Sequence, residues 1–125
     1  MKIQRLPYLV AVPIPTRDRN HKRISKGHCR TATERVMKAF GEWFGGATAM
    51  PWPCLGTWTM VDGSGVVVEK GQTVVVVMTT RKDYRARREA VEHLVDDVAK
   101  ALDQEAMAVI VSKASDGYLL FPDPE

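Results

Sequence analysis

Apolar residues recur in two rhythms along this chain. Val36, Met37, Phe40, Trp43 and Phe44 fall three and four apart, and so do Val91, Leu94, Val95, Val98 and Leu102. That spacing gathers each set on one face of a helix. Elsewhere the apolar positions bunch into short runs rich in β-branched residues, at 6–14, 55–61, 65–69, 73–80, 106–111 and 118–121. Such runs read as strands. The first helix is expected to start at Thr31, where Thr31-Ala-Thr-Glu34 has the form of a capping box, and to stop at Gly45-Gly46. The second is expected to take Asp83 as its N-cap, with Glu89, Glu92, Asp96, Asp97 and Lys100 on its polar face. Asp62-Gly63-Ser64-Gly65 and Lys70-Gly71-Gln72 supply turns for a three-stranded meander over 55–80. The unbroken Val74 to Val77 run suits a central strand covered on both faces. Pro7 and Pro13 cannot donate to a ladder, so the 6–14 strand is expected at an edge, or else to pair mainly through its middle. Residues 106–111 are expected as a buried strand, 47–53 as a stiff connector, and Ser115-Asp116-Gly117 as a turn into the last strand.

The resulting order is β-α-β-β-β-α-β-β. One sheet with both amphipathic helices on one face buries both stripes at once. The expected architecture is α+β: a single domain over 1–125, a ferredoxin-like two-layer sandwich with one mostly antiparallel sheet and a tail at 122–125. The sheet face opposite the helices is left open, which predicts a homodimer or higher oligomer.

Composition narrows the class. A chain of 125 residues can bury roughly two-thirds of its unfolded surface, and a hydrophobic share of 45% argues against disorder. No apolar run approaches the ~20 residues of a membrane span. The opening residues lack the apolar core and cleavage site of a signal peptide, so a cytoplasmic protein is expected. Cys29 and Cys54 are too few for a disulfide scaffold and are expected as thiols. Charge is strongly polarised: residues 1–38 hold ten Lys or Arg against two acids, and 39–125 hold eight against thirteen. That layout favours an anionic partner or another copy of the chain.

Four constellations could carry chemistry. The first is a basic loop or arm at 15–30, with Arg17, Arg19, Lys22, Arg23, Lys26 and Arg30 around His21 and His28. Such a segment can bind nucleic acid through phosphates, although no aromatic residue between 16 and 39 offers a base-stacking platform. The second is Thr79-Thr80-Arg81-Lys82 at a strand-to-helix turn, extended by Arg85 and Arg88. Hydroxyls, guanidinium and helix N–H groups together hold phosphates and carboxylates. The third pairs Trp58 with Glu69 across a hairpin, with Gln104-Glu105 able to bring a second carboxylate for acid–base work or a divalent metal. The fourth, His21, His28, Cys29 and Cys54, has zinc-type residues but no zinc-type spacing. No metal or other cofactor is expected.

Phe44-Gly45-Gly46-Ala47-Thr48, Gly56-Thr57-Trp58, the Asp62-Gly63 turn, Glu69, and Gln104-Glu105 before an apolar strand resemble a group of small bacterial and phage α+β proteins. The resemblance spans about residues 36–112. It implies the fold and adds no activity; domains of this kind travel on mobile elements, which implies a place in host–element conflict.

The leading expectation is a non-enzymatic, oligomeric binding module for a small anionic ligand, a nucleotide or phosphate-bearing metabolite. Its site would comprise Thr79, Thr80, Arg81, Lys82, Arg85, Arg23 and Trp58, between the basic arm and the 79–85 turn. One alternative is a small enzyme using Glu69 and Glu105 as acid–base or metal carboxylates. Another is nucleic-acid binding through the arm.

Overall fold

The computed structural model describes residues 1–51, 56–59, 66–69, 71–113 and 117–124, with 56–59 and 66–69 described as backbone strands. The elements are β1 (Lys2–Arg5), β2 (Tyr8–Ile14), α1 (Lys26–Phe44), β3 (Thr48–Pro51), β4 (Gly56–Thr59), β5 (Val66–Glu69), β6 (Thr73–Thr79), α2 (Arg81–Ala101), β7 (Ile110–Lys113) and β8 (Tyr118–Phe121).

Four strands form an antiparallel sheet in the order β3-β6-β2-β7. With α1 between β2 and β3 and α2 between β6 and β7, this is the ferredoxin-like arrangement. Alternation along the strands sorts the layers. Val10, Val12, Ile14, Val75 and Val77 join Val36 and Phe40 of α1 and Val91, Leu94, Val95 and Val98 of α2 in one core. Phe40 is fully buried, with Trp43 and Phe44 packed at ring-centroid distances of 6.3 and 5.6 Å.

The remaining strands pair off as two ribbons, β1 with β8 and β4 with β5. The expected meander is therefore broken, because β6 pairs with β2 and β3 and leaves the β4–β5 hairpin by itself. The β1–β8 ribbon prolongs the β2–β7 pairing past Pro7, with its register offset by two (Tyr8 opposite Lys113, Arg5 opposite Tyr118).

Several boundaries differ from the sequence reading. Of the two placements expected for the 6–14 strand the edge is not the one adopted: β2 is central, paired with β6 along its whole length and with β7 only from Tyr8 to Ala11, two residues short of Pro13. The last sheet strand is Ile110–Lys113 and is exposed along its length, so 106–111 is not a buried strand. Residues 48–51 of the expected connector form β3. α1 starts five residues before Thr31, because Ser25 accepts the His28 N–H at 3.1 Å and caps it. Likewise Thr80 accepts the Asp83 N–H at 3.1 Å, so Asp83 stands inside α2 rather than capping it. α1 ends at Gly45, whose φ of 88° is a left-handed cap that a side chain would strain. The turns at 62–65 and 115–116, and Cys54, lie outside the described residues.

Candidate functional site

Residues 15–25, expected as a loop or arm, fold back on themselves and dock on the end of α2. The Asp18 N–H donates to the Lys22 carbonyl at 2.9 Å, Ile24 donates to Thr16 at 2.9 Å, and Arg17 bridges to Arg23. Asp18 Oδ1 accepts from the Asn20 and Lys22 N–H groups, which ties the turn from inside. His21 takes the left-handed conformation at φ 64°. The loop is then anchored outward. The Arg19 N–H donates to the Asp103 carbonyl at 2.8 Å, Arg19 Nε meets Asp103 Oδ1 at 2.7 Å, and Gln104 Nε2 donates to the Arg17 carbonyl at 2.7 Å.

Residues 26–30 belong to α1. Once Ser25 caps the helix, Lys26, Arg30, Thr33 and Glu34 share one helical face, at the i, i+4 and i+7/i+8 spacing. That face, the folded loop and the start of β6 enclose a cleft of about 450 Å³. Thr16, Arg23, Lys26, Cys29, Arg30 and Thr33 are among its lining residues, with Gly71 and Thr73 on the β6 side. Gly71 has φ 75°, which turns the chain into β6. The cleft thus gathers three cations against one carboxylate, Glu34. None of Arg23, Lys26 and Arg30 is in an ion pair with a described residue. Cys29 is half-buried, its Sγ 3.5 Å from the Pro15 carbonyl that accepts from it. α1 has no acid in its first turn, so the positive end of its dipole adds to these cations.

The structure separates the residues expected to form one site. Arg23 faces the Thr73 end of β6, while Thr79 to Arg85 lie at the other end, roughly 20 Å away at strand rise. Thr79 is buried, with 2% of its surface exposed, and the Thr80 hydroxyl is occupied in capping α2. Arg81, Lys82 and Arg85 stand exposed on the first two turns of α2. In the β4–β5 hairpin Gly56 is opposite Glu69 and Trp58 opposite Val67, so positions 58 and 69 are diagonal neighbours; their side chains lie outside what the structure describes. Glu105 is exposed just beyond α2 and forms no ion pair with a described residue. His93 faces Glu89 at 3.8 Å on the surface of α2. Among the described residues no three His, Cys, Asp or Glu side chains come together as a metal site, and no helix is long and apolar enough to cross a membrane.

In the sequence Lys26 and Arg30 belong to a basic arm, and nothing in the pattern marks Thr33, Gly71 and Thr73 as cleft walls. Ser25, a hydroxyl three residues ahead of an amide it could cap, was the signal that would have put Lys26 and Arg30 on a helix.

No family model matches the chain, and no curated protein does. Solved structures do. A phage SAM lyase in complex with S-methyl-5'-thioadenosine superposes with a TM-score of 0.64 at 9% identity, covering 95% of this chain and 92% of that one. The divalent cation tolerance protein CutA1 of Thermus thermophilus superposes at 0.51 and 15% identity, covering 88% and 85%. At such identities the likeness is one of fold. It bears out the two-layer α+β sandwich.

Proposed function

We propose that this protein is a binding module for a small anionic ligand, a nucleotide or phosphate-bearing metabolite, and that it works as a homo-oligomer. The observation that carries the reading is the cleft between the folded loop and α1, where Arg23, Lys26 and Arg30 converge on a helix N-terminus with no acid in its first turn. Its size suits a nucleotide, since ligand sites usually measure ~300–1,000 Å³. In this reading Arg23 and Arg30 take the phosphate, with the Thr16 and Thr33 hydroxyls beside them. Arg81, Lys82 and Arg85 form a separate cationic surface at the far end of β6.

A second reading is favoured by one observation, the near full-length likeness to a phage SAM lyase. In it the chain is an enzyme, with Glu69 and Glu105 as its carboxylates and Trp58 as a wall.

Calorimetric titration with AMP, S-methyl-5'-thioadenosine and SAM, with products of SAM followed by mass spectrometry, separates the readings. Binding of AMP alone supports the anion cleft. Binding of the uncharged nucleoside without AMP overturns it, and turnover of SAM that Glu69→Gln abolishes establishes the enzyme. Uptake of an oligonucleotide with affinity falling steeply in salt would instead assign the basic loop to nucleic acid.

A further inference from the structure

Nine large apolar side chains are exposed among the described residues, and eight of them lie at 1–3 or 110–121. They are concentrated on β1, β7 and β8. Register sorts the ribbon into two faces. Ile3, Tyr118 and Leu120 share one with Arg5, and Leu119 and Phe121 share the other with Lys2. Both faces are open to water: Tyr118, Leu119, Leu120 and Phe121 are 51%, 42%, 50% and 45% exposed. A two-stranded ribbon has little stability of its own in water, and a monomer rarely leaves more than a few hundred Å² of contiguous apolar surface uncovered.

We propose that the β1–β8 ribbon is the arm through which copies of this chain assemble, and that a second copy is what covers it. This rests on the self-association named above and gives it a surface. Two features select the occupant. First, the side of the sheet away from the helices is apolar and part-covered: Leu9, Val76 and Met78 are half-buried there between exposed Met50 and Ile110, with Ala11 and Val74 buried beside them. Second, among the described residues the ribbon has an unpaired edge on each side, and the outer strands β3 and β7 of the sheet each have one. Unpaired edges are templates for strands of another chain, and a second copy brings both the edges and the apolar face. A lipid surface does not fit, because those unpaired backbone groups would be carried into hydrocarbon.

The test is light scattering of the chromatographed protein, wild type against Leu120→Glu and Phe121→Glu, with circular dichroism to confirm folding. The expected result is an oligomeric wild type and folded, monomeric variants. Hydrogen exchange of the wild type on dilution stands independently of whether the variants fold. Amides of 2–5 and 118–121 should lose protection as the oligomer dissociates, while those of β2 and β6 keep theirs. Oligomeric variants, or no dilution-dependent protection in the ribbon, would overturn the arm and leave self-association standing. A wild type monomeric at every concentration would overturn both, and a monomer whose ribbon is protected only on vesicles would assign the surface to lipid instead.

Discussion

The two helices begin alike and differ in what surrounds their first turns. Each is capped by a hydroxyl that accepts the amide three residues on, Ser25 from His28 and Thr80 from Asp83. Each then presents cations where the helix dipole disfavours them: Lys26 and Arg30 on α1, Arg81, Lys82 and Arg85 on α2. The start of α2 has Asp83 in its first turn and stands open to solvent. The start of α1 has no acid, and it is overhung by the 15–25 loop and faced by the start of β6. The same local chemistry makes a cleft in one place and a charged surface in the other. Charge density alone therefore does not mark a site; what encloses the charge does.

The sharpest way to break this contrast is to remove cations from each end in turn. Arg23→Ala with Arg30→Ala should weaken AMP binding by tenfold or more, since a hydrogen bond to a charged group contributes about 1.5–3 kcal/mol. Arg81→Ala with Lys82→Ala should change it less than about twofold in the same titration, at the low worth of screened surface charge. Equal losses would erase the distinction. The next effect comes from the cleft wall. Gln104→Ala removes donors to the Arg17 and Leu102 carbonyls, at about 1 kcal/mol each, and should lower both the melting temperature and AMP affinity. The caps should then separate: Ser25→Ala and Thr80→Ala should each cost about 1 kcal/mol by urea unfolding, with AMP affinity falling only for Ser25→Ala. The smallest effect lies at the far end of α2. The Asp96 carboxylate, hydrogen-bonded at 2.8 Å, raises the pKa of exposed Lys100. Its slight stabilisation is present below 10.5, lysine's ordinary value, and is lost as pH rises above it. Lys100→Met should be nearly silent in thermal melts at neutral pH.

Much of the fold was legible because burial imposes a period. Val91, Leu94, Val95, Val98 and Leu102 are all buried as their spacing requires, and Val74, Val75 and Val77 lie in a central strand. Where the sequence misled, another force was acting. Thr31-Ala-Thr-Glu34 looked like a helix start because Lys26 to Arg30 carry no apolar period, yet Ser25 had already capped the helix. Proline argued for an edge at 6–14, but a strand can be central if its second partner stops short of the proline. The site was legible in its charges and not in its assembly. Arg23 and Arg81 fall in two dense cationic segments, and only the direction of β6 reveals that they lie at opposite ends of a strand.

The anchoring of the basic loop has a mechanical consequence. Arg17 and Arg19 are fastened to Asp103 and Gln104, at the point where α2 ends, and Asp103 itself sits in a left-handed turn at φ 51°. The wall of the cleft is thus hinged on the last turn of a helix that contributes nothing else to it. Fraying of that turn would therefore carry the wall with it, at a helix terminus that the cleft itself does not touch.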